Sequence, residues 1–333
     1  MKLSPILSQA VFVVMPPRTL LLDVAGPVEV LRKANLEQDK LVFDVRFVGP
    51  LPALTSSIGL TLAGIQALPP NLPADAIVVV VGSAHSVMGH QDDAAINAAA
   101  EAGDAAIVAW LQHVILPKHR VIGICSGALL MGRAGLLDDH ACTTHHACCA
   151  ELSTLAPRAR VLENRLFVED RHRLTSAGIT SGTDLMLHLV AKLTDPQTAA
   201  AIARYLVVYL RRTGDDPQAS PWLSGRNHLH SAVHRAQDAI VANPTQDWSL
   251  AALAAKAGAG PRHLSRLFNQ HTGMTIADYA NGLRVALAHE LLAGTRLDME
   301  HVAERVGLGS ARQLRRVWSK VYGSTPREAR KRA

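Results

Sequence analysis

The chain has 333 residues, enough for about two domains. Hydrophobic residues make up 48% and charged residues 19%, which excludes a disordered chain. Four cysteines at this length exclude a disulfide framework and fit a reducing, cytoplasmic setting, and no unbroken apolar run approaches the roughly 20 residues of a membrane helix.

The net charge of +6 is unevenly placed. Residues 226–333 hold 16 Lys and Arg against 8 Asp and Glu, whereas residues 1–225 hold 18 against 20. A basic half on a near-neutral one points to a polyanion-binding module beside something else. Thirteen of the 16 basic residues are Arg, which favours bidentate contacts to phosphates and guanines. With five Phe, four Trp and four Tyr, the core must come from Ala, Val and Leu.

The opening MKLSPILSQAVFVVMPP has the outward look of a signal peptide. It lacks a convincing cleavage site, Ser8 and Gln9 interrupt its apolar run, and Ala10–Met15 reads as a first buried strand. Val42–Val48, Ala76–Val81 and Val121–Cys125 are further short β-branched runs ending at Gly, Pro or Ser. Helical patterns over Pro27–Ala34 and Ala94–His113 separate them. That alternation predicts a parallel sheet in an α/β three-layer sandwich over residues 1–195.

Within it, RVIGICSGALLMGRAGLL (Arg120–Leu137) reads as a strand, a sharp turn at Cys125-Ser126-Gly127 and a helix. A thiol at such an elbow projects into a crevice at the carboxyl end of the sheet. Nearby helix N-terminal N–H groups are expected to lower its pKa and to bind an anion. The alternative is a buried structural cysteine. Gly82 and Ser83, closing the AIVVVV strand, are candidates to line the same pocket through backbone N–H groups.

Residues 140–149, HACTTHHACC, hold six side chains of metal-ligand type. Structural zinc sites bring paired ligands from separate loops, and no second cluster exists, so no metal is expected. Cys142–Thr144 reads as a short strand, with Cys148 and Cys149 opening the next helix.

Arg211–Arg226, RRTGDDPQASPWLSGR, is rich in Pro, Gly, Asp and Ser and reads as a linker inside a connecting segment, 196–247. Beyond it the chain is helical and repeats. Leu253, Ala254 and Gly258 correspond to Val302, Ala303 and Gly307, and Leu264, Leu267, Phe268 and Gly273 to Leu314, Val317, Trp318 and Gly323. Each copy reads as helix, glycine turn, helix, so residues 248–333 form an all-α unit with two helix-turn-helix motifs. The outer face of one second helix carries Arg262, His263, Ser265, Arg266 and Asn269, and that of the other Arg312, Gln313, Arg315 and Arg316. These are residue types that read base edges in the major groove. Thr275–Ala293 is the connector, N-capped by Thr275 and striped by Ile276, Tyr279, Leu283, Ala286 and Leu291.

The elements PRHLSRLF, Arg284–Leu292 and YGSTP make residues 248–330 resemble the DNA-binding domain of the AraC/XylS family. Leu308 departs from it, replacing an aromatic at the second turn, and reads as a packing substitution. GICSGALLMGRAGLL, TTHH and LFVEDRHRLTSAGITSGTDLMLHLV resemble the PfpI superfamily (class I glutamine amidotransferase-like), in the form found in GlxA-type regulators. That resemblance implies a flavodoxin-like α/β fold, with Asp23 of LLDVAGPVEVL approaching Cys125 and His145 following in the next strand region. Ser126 stands where peptidase-type members have His, so the peptidase arrangement is broken and no catalytic residues are expected.

The resemblance implies a homodimeric regulator of transcription that binds double-stranded DNA and has no cofactor. A small, often nitrogen-containing effector would be bound among Asp23, Gly82, Ser83, Cys125, Ser126 and His145. The alternative is a Cys-dependent hydratase or hydrolase, similar to isonitrile hydratases, that carries a DNA-binding module.

Overall fold

The computed structural model describes residues 7–84, 87–88, 94–208, 213–214, 218, 225, 228–322 and 325–327. Most of the linker Arg211–Arg226 lies outside the described residues, as do Gly323 and Ser324 of YGSTP. Contacts divide the chain into two units, Met1–Gln218 and Ala219–Ala333.

The first unit contains strands β1 (Leu7–Val14), β2 (Leu41–Gly49), β3 (Ala53–Thr55), β4 (Thr61–Ala63), β5 (Gln66–Ala67), β6 (Ile77–Val80), β7 (Arg120–Ile124), β8 (Ala141–Cys142), β9 (Arg160–Val161), β10 (Phe167–Asp170) and β11 (Arg173–Ser176). Its helices are α1 (Leu21–Glu37), α2 (Ala94–Val114), α3 (Gly127–Arg133), α4 (Cys149–Leu155), α5 (Ser181–Leu193) and α6 (Pro196–Tyr205). Seven strands form one sheet in the order β10-β11-β7-β6-β1-β2-β5. All pairings are parallel except β10 with β11, so the sheet is mixed, with one antiparallel edge.

The central runs Val11–Val14, Ile77–Val80 and Val121–Ile124 are apolar because both faces of the sheet are covered there. Val11 and Val13 of β1 pack with Val30 and Leu31 of α1 and with Leu185 and Leu189 of α5. Phe12 and Val14, pointing the other way, pack with Ile107 and Leu111 of α2 and Leu152 of α4. The period of two along a strand thus gives three layers, as the sequence predicts.

The unit extends past residue 195. α6 packs on α5 and α1, burying Ala199 and Ile202, so it is part of the sandwich rather than of a connection.

The second unit contains α7 (Ser231–Ala242), α8 (Leu250–Ala257), α9 (Pro261–Thr272), α10 (Ile276–Gly294), α11 (Met299–Arg305) and α12 (Ala311–Tyr322). α7, also assigned to the connection by sequence, packs on α8 and α9 through Val233, Ala236 and Ile240. Each helix-turn-helix has its own core, one around Leu264 and Phe268, the other around Leu314 and Trp318. α10 is N-capped by Thr275, whose hydroxyl accepts the Asp278 N–H at 3.0 Å. It gives Tyr279 and Leu283 to the first core, and Val285, Ala288 and Leu292 to the second. In its second half the expected Leu291 packs half-buried against the second core, while Val285, Ala288 and Leu292, rather than Ala286, are the fully buried residues, because the helix turns a new face to that core. Leu308 is 3% exposed within that core, a packing residue. Among the described residues no helix is long and apolar enough to cross a membrane.

Gly127, opening α3 right after the elbow, lies against the backbone of β6. A Cβ there would overlap the Val80 carbonyl oxygen. Gly127→Ala must therefore push α3 off the sheet and is expected to cost about 3 kcal/mol or more. A thermal unfolding midpoint at the wild-type value would contradict this close approach.

Candidate effector site and nucleic-acid interface

The effector-site candidates other than His145 converge where the sheet order reverses, beside β1 and β6. Crevices at the carboxyl ends of such strands hold ligands in open α/β sheets. The Leu20 N–H donates to the Gly82 carbonyl at 2.9 Å, pinning the start of α1 to the end of β6. One turn later Asp23 points back at the sheet and is fully buried. Gly82 admits it, for a Cβ at that position would overlap Asp23 Oδ2 and lie 2.9 Å from the Cys125 Cβ.

Cys125, 4% exposed, adopts φ +56°, the left-handed conformation of a strand-to-helix elbow. Its N–H donates to the Ser176 carbonyl at 3.0 Å, and its own carbonyl accepts the Thr144 hydroxyl at 2.8 Å. Gly178 lies directly over it, since a Cβ there would overlap the Cys125 side chain. Next to Gly178, the Ile179 N–H donates to Asp23 Oδ1 at 2.6 Å. Ile179 has φ +53°, a strained conformation for a β-branched residue. Thr144, Gly178 and Ile179 are thus functional neighbours that the sequence reading missed. Only the glycine hints at itself, since SAGITSG marks a turn before α5.

Ser126 and Ser83 are engaged with each other. The Ser126 hydroxyl accepts the Ser83 N–H at 2.8 Å and donates to the Ser83 carbonyl at 3.1 Å. The Ser83 N–H is therefore not free to line a pocket, contrary to expectation. His145 follows Thr144, so the chain brings it within one residue of the cluster. Its ring lies tilted against that of His146 with centroids 4.1 Å apart, and its Nδ1 accepts the Ala147 N–H at 3.3 Å. It caps a short turn, and no hydrogen bond joins it to Cys125 or Asp23 among the described contacts.

Burial controls the electrostatics. It pushes the Asp23 carboxyl up to about 6, an effect only partly offset by the Ile179 and Gly82 N–H groups and the Cys125 thiol. Oδ2 of Asp23 has no well-formed hydrogen bond. Burial, and then the nearby Asp23 charge, push the Cys125 thiol up as well, so the elbow does not lower its pKa as expected. The thiol beside Asp23 is held in its protonated form. Two residues beyond Asp23 and one beyond Ile179 begins a mostly apolar cavity of about 590 Å³, lined by Ala25, Gly26, Glu29, Thr180, Thr183 and Leu206. Cys142, Cys148 and Cys149 are buried free thiols. Among the described residues no group of His, Cys, Asp or Glu could hold a metal ion.

In the second unit Gly258 and Gly307, at φ +63° and +74°, make the left-handed turns into α9 and α12. α9 buries Leu264, Leu267 and Phe268 and leaves Arg262, His263, Ser265, Arg266 and Asn269 exposed. α12 buries Leu314, Val317 and Trp318 and leaves Arg312, Arg315 and Arg316 exposed. Gln313 differs. Its Oε1 accepts the Gly309 N–H at 3.0 Å while its own N–H donates to the Ser310 hydroxyl at 3.2 Å, so it closes a capping box. Arg284 also has a structural task, holding the Pro244 and Gln246 carbonyls at 2.9 and 2.8 Å.

A cysteine elbow facing a buried carboxylate at the switch point of a sandwich, followed by two helix-turn-helix motifs, defines a two-unit protein with an α/β pocket and a basic helical module. The chain belongs to the DJ-1/PfpI family, whose profile matches residues 9–192, and a helix-turn-helix domain profile matches residues 253–332. It is similar to the HTH-type transcriptional regulator GbdR of Pseudomonas aeruginosa, 30% identical over 226 residues. That match covers 67% of this chain and 60% of GbdR. The HTH-type transcriptional regulator CdhR of the same organism is 26% identical over 97% of this chain and 92% of its own. A crystal structure of a ThiJ/PfpI family protein from Pseudomonas syringae shares the fold, with a TM-score of 0.50 and 22% identity over 77% of this chain and 91% of that one.

An acid whose pKa is raised by folding stabilises the fold fully below its unfolded value, here 3.8, and that contribution is lost as pH rises to about 6. Asp23→Asn removes this titration while leaving an acceptor for Ile179. The stability of the variant relative to wild type is expected to rise between pH 4 and pH 7 by up to roughly 3 kcal/mol. Urea unfolding at several pH values checks this, and a difference independent of pH would contradict it.

Proposed function

We propose that the protein is a sequence-specific, DNA-binding regulator of transcription. It acts in the cytoplasm as a homodimer and responds to a small metabolite held beside Cys125 in the α/β unit. The observation that carries this reading is the pair of second helices, α9 and α12. Each packs its apolar stripe into its own core and turns a face rich in Arg to solvent. One such face could be ordinary solvated surface. Two on one chain, in equivalent positions of repeated motifs, fit entry into successive major grooves. The similarity to GbdR and CdhR, both named transcriptional regulators, supports the same reading.

Asp23 and Cys125 are the chief residues on the effector side, with Gly82, Ser126 and the Ile179 N–H shaping the space around them. The Asp23 Oδ2, which has no hydrogen-bond partner among the described residues, would accept a hydrogen bond from an amine or other donor group of the ligand. An effector moves the protein between states only by as much as its affinities for them differ. A protonated thiol without a histidine partner favours sensing over nucleophilic chemistry.

Selection of binding sites from random duplex DNA by the full-length protein is expected to return one recurring sequence. Arg266→Ala or Arg315→Ala should weaken binding to it by about ten-fold or more, in line with the ~1–3 kcal/mol of a base-reading arginine, and relax preference at one position. Enrichment of no sequence would contradict the reading. A thermal-shift panel of small amines and amino acids tests the effector, and a panel without any shift counts against sensing at Cys125.

A further inference from the structure

Four half-buried imidazoles meet in the second unit, where the chain enters α7 and α9 ends. The His228 ring stacks on His234 of α7 with centroids 4.3 Å apart. His271, in the last turn of α9, lies against both His228 and His230, at 5.6 and 4.8 Å. Backbone groups are held by the same rings. His228 Nδ1 accepts the His230 N–H at 3.2 Å, and His234 Nε2 donates to the His228 carbonyl at 2.5 Å. Gln237 Nε2 donates to the Gly225 carbonyl at 2.9 Å, and Gly225 packs on Thr272, the residue after His271.

This arrangement needs uncharged rings. A proton on His228 Nδ1 ends its acceptance of the His230 N–H. His230 is the N-cap of α7, where positive charge opposes the helix dipole. His228 Nε2 and His230 Nδ1 are buried without hydrogen-bond partners among the described residues, so a proton added there gains no acceptor. Burial, then His234, His271 and His230 push the His228 imidazole below its ordinary pKa, against the pull of Gln237.

Other charged groups on the packed elements are engaged or set apart. Arg235 of α7 donates to the Ala257 carbonyl ending α8, Lys256 of α8 lies over the Trp248 ring, and Asp278 of α10 pairs with Lys320. On α9, Arg262, His263 and Arg266 stand five or more residues before His271. Asp238, one turn beyond His234, is exposed and screened by solvent.

We propose that His228, His230, His234 and His271 form a proton-sensitive clasp. Uncharged, they fasten the chain entering α7 to the end of α9, and protonated in mild acid they repel one another and loosen it. The clasp thereby couples proton concentration to the packing of the helix that carries Arg262 and Arg266. A histidine whose charged form is disfavoured by folding contributes stability that is full above its unfolded value, 6.5, and is lost as pH falls below it. The device lies within the second unit and does not depend on what the first unit senses.

The test is hydrogen exchange on the full-length protein at pH 7.5 and pH 5.5, with EDTA present and each rate divided by the intrinsic rate at that pH. Protection in a peptide covering 228–238 should fall at least threefold on acidification. His271→Phe keeps an aromatic ring against both partners but cannot be charged, and should reduce that fall by half or more. His228→Asn keeps an acceptor near the Nδ1 position and should do the same. A purely structural role would lower protection at both pH values and leave their ratio as in the wild type. Wild-type protection that does not change with pH, or a wild-type ratio in both variants, would overturn the clasp.

Discussion

The α/β unit depends on holding one non-glycine residue, Cys125, in a left-handed backbone conformation inside a sealed core. That conformation costs of the order of 1–2 kcal/mol and persists only where its surroundings over-determine it. Here they do so from every side. Ser176 takes its N–H, Thr144 takes its carbonyl, and Gly127 and Gly178 let neighbouring backbones come close enough to clamp it. The clamp draws the carboxyl ends of β6, β7 and β11 together and fixes where α1 and α5 begin. A carboxylate is buried against the thiol as a result, and both groups are driven toward their neutral forms. The strain thus holds a buried carboxyl against a buried thiol at a topological switch point.

The basic unit meets a different constraint, because two small helix-turn-helix cores must be held together. α10 does this by giving successive faces to the two cores, and the Lys320–Asp278 ion pair at 2.6 Å ties α12 back to it. That exposed pair adds little stability by itself. With the apolar residues of α9 and α12 used up in packing, the exposed arginines have no structural task that packing would explain. Gln313 and Arg284 show the contrast, since both are polar side chains consumed by capping and by bracing a loop.

The layered fold was legible because strands buried on both faces must be apolar at every position, and β1, β6 and β7 lie on the runs read as strands. The repeat was legible because Gly258 and Gly307 mark equivalent left-handed turns. Asp23 and Cys125 were recognisable through family likeness, each on a motif of its own. Ile179 was not, for nothing in an isoleucine announces a left-handed residue whose N–H holds a carboxylate. Thr144 acts through a long-range hydrogen bond to the Cys125 carbonyl, which leaves no periodic trace. The capping box of Ser310 and Gln313 was written in the sequence, but a glutamine on a basic helix reads equally well as a base contact. The thiol was misjudged because a helix N-terminus lowers a pKa only when burial and a neighbouring carboxylate do not outweigh it.

A hydroxyl-radical footprint of the full-length protein on its selected DNA site tests the central claim most directly. Two helix-turn-helix motifs in successive major grooves predict, for each chain, two protected stretches on one face of the duplex, about 10 base pairs apart. Protection confined to a single groove, or spread without regard to sequence, would contradict it.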